Sequence, residues 1–195
     1  MPRGRGGADV RGVAAEAAVI ILAVDPGRVV GFALFDSEIL LRFGQFSMLS
    51  KGGAAFALAQ ILAGDAGYPL PPRRYALRPA LAILEEGSVR YHEKHRGGVG
   101  EHKMYRDMMT NTAYRRTVAA VLLHLGVPSL GVCPEEWGAA KNVALRARVE
   151  LARANIEVPP NFDLPAREHE RDAIVLGGWC ARRKVWGVDR ENVLV

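Results

Sequence analysis

Two acidic residues each follow a short apolar run that indicates a buried strand. Asp25 comes directly after Val19–Val24, and Glu85 comes directly after Leu81–Leu84. Runs of this kind are typical of strands that are covered on both faces of a sheet. The carboxyl ends of such strands open into the crevice where α/β proteins bind their ligands. If the two strands are neighbours in one sheet, both carboxylates reach a common divalent cation.

Other interpretations of these two residues stay open at the level of sequence. Asp25 begins the turn-like segment DPG, and aspartate and proline are ordinary turn residues. Glu85 is followed by Glu86, and a slip of one residue along a strand reverses the direction of the side chain. Glu86 is therefore the alternative to Glu85 as a ligand.

A third polar group lies near the C-terminal end, in the segment EHERDA that begins at Glu168. His169 and Asp172 are three residues apart, so on a helix they share one face. The alternative interpretation is a solvated acidic first turn, which helices commonly have. The apolar and small residues after Asp172 favour a helix that packs tightly on the sheet and directs its polar start at the strand ends. We expect Glu168 and Glu170 to face solvent.

The order of the predicted elements indicates an α/β fold with a mixed five-stranded sheet and helices on both faces. Three consecutive strands form an antiparallel meander, and two further strands, separated by helices, run parallel. The predicted strands are Val19–Val24, Val30–Phe35, Ile39–Phe46, Leu81–Leu84 and Leu130–Cys133. The predicted helices span residues 54–63, 103–125, 139–156 and 165–183.

Composition predicts one globular domain with a polyanionic partner. The chain has 195 residues and is 49% hydrophobic, which is enough for one sizeable core. Residues 1–12 are rich in Gly and Arg and predict a flexible basic arm, and residues 13–195 predict a single domain. The net charge of +5, from 26 basic and 21 acidic residues, favours nucleic acid as a partner.

Several classes of protein are disfavoured. Cys133 and Cys180 are far apart without CxxC spacing, so a disulfide framework and a structural zinc site are not indicated, and a reducing cytoplasm fits best. The longest apolar run, Ala17–Val24, is far shorter than the roughly 20 residues of a membrane span. A secretory signal is disfavoured because Glu16 interrupts the apolar slope and a small-residue cleavage site is replaced by DPG.

Three segments resemble RuvC-type Holliday-junction resolvases, which belong to the ribonuclease-H-like superfamily. The segment ILAVDPG that ends at Gly27, followed by GFAL from Gly31, resembles the opening strands of that family. The strand that ends at Glu85 resembles its second acidic strand end, and HERDA from His169 resembles its C-terminal helix. The resemblance spans about residues 19–184. It departs from the family in the doubled glutamate, the long loop after it and a shortened segment before Pro159.

The resemblance implies a ribonuclease-H-like fold and a homodimeric endonuclease that resolves four-way DNA junctions by two-metal-ion hydrolysis. Asp25, Glu85, His169 and Asp172 would be the catalytic and metal-binding residues. Mg²⁺ would be the cofactor, and Mn²⁺ is expected to be effective as well, because imidazole suits transition metals. The predicted helix over residues 103–125 offers apolar positions for a dimer, namely Met104, Met108 and Val118.

Residues that would contact DNA are harder to identify. One aromatic and several basic residues are candidates: Arg90, Tyr91, Lys94, Arg96, Lys103 and Lys141. Tyr91 is the nearest aromatic after Glu85 and would pry bases apart, although a tyrosine that packs a loop is an equal alternative. Any single basic residue in this set is also compatible with an ordinary surface charge.

Three alternative functions compete with junction resolution. A ribonuclease-H-like nuclease that acts on RNA–DNA hybrids or other branched DNA would share the metal site. A non-catalytic nucleic-acid-binding relative is disfavoured because all four candidate metal ligands are present. A sugar-kinase-like or actin-like ATPase generally needs two such lobes, for which 195 residues are too few.

Overall fold

Five strands form one mixed sheet in a computed structural model of the chain. They are β1 (Ile20–Asp25), β2 (Val29–Asp36), β3 (Ile39–Ser47), β4 (Leu81–Glu85) and β5 (Ser129–Val132). The spatial order is β3-β2-β1-β4-β5. The pairs β1–β2 and β2–β3 are antiparallel, and the pairs β1–β4 and β4–β5 are parallel. The predicted ribonuclease-H-like sheet is confirmed.

The structure describes residues 19–49, 53–69, 78–86, 101–138 and 142–183, and within 101–108 it describes the backbone alone. The predicted basic arm, residues 1–12, lies outside these ranges. The helices are α1 (Gly53–Ala63), α2 (Glu101–His124), α3 (Pro134–Trp137), α4 (Val143–Arg153) and α5 (Glu168–Arg183), and a 3₁₀ turn, Pro165–Arg167, precedes α5. No helix in the described ranges is long and apolar enough to span a membrane.

The central strand β1 is apolar up to its last residue, Asp25, because helices cover both of its faces. Ile21 and Ala23 belong to a core cluster on the side of α4 and α5. Leu22 and Val24 belong to a second cluster on the side of α1 and α2. Since side chains alternate between the faces of a strand, a strand covered on both faces is apolar at every position before its end. Helices lie on both faces of the sheet, as predicted.

The predicted helix over residues 139–156 is wrong at both ends. Asn142 has a φ of 50° and Asn155 a φ of 54°, so both adopt the left-handed conformation, and α4 is confined between them. Asparagine tolerates this conformation better than other residues with a side chain. The separate short helix α3 directly after β5 is not anticipated by the sequence pattern.

Glycines let α5 pack directly against its neighbours. A Cβ on Gly177 would lie 2.3 Å from the ring of Phe35 on β2, and a Cβ on Gly178 would lie 2.6 Å from the carboxyl carbon of Glu150 on α4. Glu150 is buried and accepts hydrogen bonds from Arg182 at 2.7 Å and Arg153 at 3.3 Å. This packing fixes α5, and with it the polar first turn that the helix carries.

Candidate active site

Asp25 and Glu85 lie side by side at one edge of the sheet. The register of the parallel strands β1 and β4 pairs Val24 with Leu84, so the next residue on each strand is one of the two carboxylates. Neighbouring strands are about 4.8 Å apart. Both side chains are largely shielded from solvent, with Asp25 only 9% exposed. Strand pairing thus brings together two carboxylates that are 60 positions apart in the chain.

The first turn of α5 reaches Asp25 because the strand between them carries no side chain at the point of contact. Gly31 on β2 pairs with Asp25, and a Cβ on Gly31 would lie 1.8 Å from the carbonyl oxygen of His169. Any other residue at Gly31 would therefore push the helix away. At this close approach His169 Nδ1 lies 2.6 Å from Asp25 Oδ2, where the imidazole N–H donates to the carboxylate.

Asp172 lies near the same two carboxylates. Burial raises the pKa of Asp172 to about 7, and the charge of Asp25 adds to the effect. Burial likewise raises the pKa of Glu85 to about 9, with further contributions from Asp25 and Asp172. The hydrogen bond to Asp25 raises the pKa of His169 above its usual 6.5. Ionising all of these carboxyl groups together is therefore costly, and a cation bound among them would relieve that cost.

The structure places Glu85, and not Glu86, beside this cluster. The side chain of Glu86 lies against Gly131 and forms an ion pair with Arg115 of α2 at 2.8 Å. Its backbone N–H donates to the carbonyl of Val132, which ties the end of β4 to β5. The two glutamates therefore have different surroundings, as the side-chain alternation of a strand requires.

The expected exposure of Glu170 is wrong, whereas that of Glu168 agrees with the structure. Glu170 is only 1% exposed, and its Oε2 accepts a hydrogen bond from Arg167 at 3.1 Å. Burial raises the pKa of Glu170. The side chain of Glu168 is 61% exposed. The 3₁₀ turn before α5 bends Arg167 back over the helix start, a feature that helical spacing alone does not predict.

Sequence reasoning missed Glu135, a further carboxylate at this edge. Glu135 lies in α3, directly after the parallel strand β5, and its charge contributes to the raised pKa of Glu85. In the sequence, Pro134 separates Glu135 from the predicted strand Leu130–Cys133, whereas Asp25 and Glu85 follow their predicted strands directly. An acidic residue close after a strand was the signal for Glu135, and the intervening proline obscured it.

Comparison with solved structures identifies the architecture. A Thermus thermophilus RuvC in complex with Holliday junction substrate has a TM-score of 0.59 and 17% identity to this chain, covering 90% of this chain and 99% of the other. A second Thermus thermophilus RuvC structure has a TM-score of 0.55 and 16% identity, covering 90% and 100%. The chain has a RuvC-like fold. No protein-family model matches the sequence, and no curated protein matches it.

Within this RuvC-like fold, the predicted DNA contacts lie largely outside the described residues. That applies to Arg90, Tyr91, Lys94, Arg96 and Lys141, and also to the side chain of Lys103, whose backbone begins α2. One cation in the described part was not anticipated. Arg28 is exposed in the turn that follows Asp25, so it lies at the same edge of the sheet as the carboxylates.

One predicted dimer position is wrong. Val118 of α2 is fully buried in the core that α2 shares with α1 and the sheet, so its side chain is not available to a partner. The side chains of Met104 and Met108 lie outside the described set. Met109 and Leu123 are the large apolar residues that α2 exposes in its described part, at 70% and 58%.

Proposed function

We propose that this chain is a metal-dependent DNA endonuclease that resolves four-way junctions. The observation that carries the proposal is the convergence of Asp25, Glu85, His169 and Asp172 at one edge of a RuvC-like sheet. These residues come from two strands and a helix that are remote in sequence. Burial of several carboxylates without compensating cationic side chains costs stability, so a function is the better explanation of the cluster.

The donor set suits hard divalent cations such as Mg²⁺. Carboxylate oxygens are the ligands that Mg²⁺ prefers. Burial, and after it repulsion from neighbouring carboxylates, raises the pKa values of Glu85 and Asp172, and a bound cation would favour their ionised forms. Within the described residues, no three side chains already stand as a metal site, and one oxygen of Asp25 is hydrogen-bonded to His169. Cation binding would therefore require small side-chain rotations about these backbone positions.

The four proposed catalytic residues would have different roles. Asp25, Glu85 and Asp172 would hold the divalent ions, and His169 would add a nitrogen ligand or accept a proton. Ions bound there would make a water molecule nucleophilic and stabilise the leaving alkoxide. Because His169 donates through Nδ1 to Asp25, neutral imidazole carries its lone pair on Nε2. Nε2 is then the atom that would take the proton of the attacking water.

Branched DNA is the proposed substrate because the related structure was solved with a Holliday junction and because this chain is basic. The net charge of +5 favours a polyanionic partner. Arg28 beside Asp25 is positioned to contact a phosphate near the scissile bond. The basic residues after Glu85, from Arg90 to Arg96, are proposed to extend this contact.

A homodimer is part of the proposal. Symmetric cleavage of a four-way junction needs two active sites related by a two-fold axis. The exposed Met109 and Leu123 of α2 are fourteen residues apart, four helical turns, and so lie on nearly the same side of the helix. Light scattering at micromolar concentration should give twice the mass of one chain. A protein that cleaves junctions as a monomer would contradict this part of the proposal.

A single cleavage assay tests the proposed function. The purified protein is incubated with an end-labelled four-way junction, a linear duplex and an RNA–DNA hybrid, each with Mg²⁺, with Mn²⁺ and with a chelator. Symmetric, metal-dependent nicking of the junction alone is the expected result. Preferential cleavage of the hybrid would assign the site to another ribonuclease-H-like activity. Junction binding without cleavage in either metal would indicate a non-catalytic binder.

Adjacent glutamates supply a matched pair of variants for the same assay. Glu85→Gln should abolish cleavage because it replaces a carboxylate that would hold a divalent ion by a neutral amide. Glu86→Gln should retain cleavage, because Glu86 pairs with Arg115 instead. The two substitutions are chemically identical and one residue apart. Loss of cleavage in Glu86→Gln with retention in Glu85→Gln would reverse the assignment.

A further inference from the structure

A groove of about 420 Å³ lies beside the proposed active site, between the edge strand β3, α1 and the start of α5. Its lining includes aromatic rings from the strands and from the segment after α1, together with Arg167 and Glu170. None of the four proposed catalytic residues lines it. Ligand sites of proteins are commonly apolar clefts of this size with a few polar groups.

Glu170 gives the groove a polar group that lacks a partner. Glu170 is only 1% exposed, and its Oε1 has no hydrogen-bond partner among the described residues. Its other oxygen is already bound by Arg167 at 3.1 Å. An unsatisfied buried acceptor is costly, so a donor supplied by a ligand would be bound favourably. A cationic ligand is less suited, because Arg167 already compensates the carboxylate charge.

The aromatic walls suit a flat ring. Phe43 and Tyr68 pack edge to face with ring centroids 5.6 Å apart, and Tyr68 is 37% exposed. The backbones of these two residues also pair, through hydrogen bonds of 2.9 and 2.6 Å, so the wall is fixed to β3. Exposed aromatic rings in nucleic-acid-binding proteins stack on unpaired bases.

The groove is within reach of the strand that would be cleaved. Gln45 on its lining pairs with Gly31, which in turn pairs with Asp25. Two strand spacings therefore separate Asp25 from Gln45, about 10 Å. At a rise of about 3.4 Å per nucleotide, that distance corresponds to about three nucleotides. The side chain of Gln45 donates to the carbonyl of Ala166 at 2.9 Å, which joins β3 to the start of α5.

We infer that the groove receives one unpaired nucleobase bearing an exocyclic amino group, from within about three nucleotides of the scissile phosphate. The amino group of adenine, cytosine or guanine would donate to Glu170 Oε1 while the base contacts Tyr68. Thymine offers a ring N–H flanked by two carbonyl oxygens, which the carboxylate repels. The inference rests on the proposed function, and it adds a determinant of where along a junction arm the enzyme cuts.

The test measures cleavage rates on junctions in which each of the three nucleotides on either side of the cut is varied among the four bases. Wild type should prefer an amino-bearing base over thymine by about tenfold at one position, as expected for one hydrogen bond to a charged acceptor. Replacing cytosine by uracil, or adenine by purine, at that position should remove the preference. Purine lacks the amino group of adenine, and uracil carries a carbonyl oxygen where cytosine carries its amino group, while the ring stays in place.

Variants of the groove separate its role from that of the active site. Glu170→Met removes the acceptor and Tyr68→Ala removes the exposed ring, and each should reduce the preference to within about twofold while symmetric nicking continues. Glu157→Gln, on an exposed residue outside the groove, should behave as wild type. Circular dichroism of each protein establishes that it folds, and Tyr68→Ala decides the matter if Glu170→Met does not.

Each possible outcome has a distinct meaning. If wild type cleaves junctions without base preference at these positions, or if both folded groove variants keep the wild-type preference, the inference is overturned and the proposed function stands. If wild type cleaves no branched DNA with Mg²⁺ or Mn²⁺, the proposed function itself fails, and the base-binding role fails with it.

Discussion

Glu85→Gln should stabilise the folded protein when no divalent cation is present. Burial raises the pKa of Glu85 from 4.5 to about 9, with contributions from Asp25 and Asp172. A carboxyl group whose folded pKa lies above its unfolded value binds protons more readily in the folded state. The folded protein therefore loses stability as the pH rises from 4.5 towards 9. Glutamine has no charge, so the variant escapes this loss.

The magnitude follows from the difference between the assay pH and the unfolded pKa. At about pH 7.5 the assay lies about three units above the unfolded value, and each unit is worth about 1.36 kcal/mol. The upper value is therefore about 4 kcal/mol. Asp25 and Asp172 retain part of the repulsion when Glu85 is neutral. We accordingly expect the free energy of unfolding to rise by about 2 to 4 kcal/mol in Glu85→Gln.

Urea unfolding in a chelating buffer measures this effect. The gain should be large at about pH 7.5 and small near pH 4.5, where Glu85 is protonated in the folded state and about half protonated in the unfolded state. Glu86→Gln is the control, and it should lose at most about 1 kcal/mol with its ion pair to Arg115. Adding Mg²⁺ should stabilise wild type and narrow the difference. An equal free energy of unfolding for wild type and Glu85→Gln at both pH values would refute the assignment of Glu85 to a charged cluster.

Three further perturbations test the site and its scaffold. Asp25→Asn should abolish junction cleavage in the gel assay yet leave junction binding in a mobility-shift assay largely unchanged, because phosphate contacts supply most of the affinity; loss of both would count against the assignment. His169→Ala should lose most of the cleavage rate whereas His169→Asp remains active, and Mn²⁺ should serve wild type at least as well as Mg²⁺. The hydrogen bond to Asp25 raises the pKa of His169 above 6.5, and the proposed role requires the neutral form. The wild-type rate should therefore fall as the pH drops through a value above 6.5, and the rate of His169→Asp should not show this decrease. If His169→Ala cleaves as fast as wild type, His169 is dispensable. Gly177→Ala should lower the free energy of unfolding by about 1 to 3 kcal/mol in urea titrations, because its Cβ would meet Phe35, and an unchanged midpoint would show that the helix shifts freely.

The local pattern of the chain determined the elements and the identity of the polar residues at their ends. The unbroken apolar run before Asp25 specifies a strand covered on both faces, and the shorter run before Glu85 specifies another. Spacing alone put His169 and Asp172 on one side of a helix. These inferences succeed because side-chain periodicity is a property of the local backbone. Local pattern failed where a single residue adopts a left-handed conformation, as at Asn142, after which the helix begins later than predicted.

Tertiary structure decided which of these residues meet and which are buried. The pairing of β1 with β4 brings Asp25 beside Glu85, and the missing side chain of Gly31 lets His169 reach Asp25. The same packing buries Glu170, which the sequence pattern placed in solvent. The order of the strands and the position of the helices on the sheet depend on contacts between segments that are remote in sequence. Such contacts leave no periodic pattern in the sequence. The local sequence therefore identifies the types of the catalytic candidates. The packing of the whole fold decides which of them meet and how their pKa values are shifted.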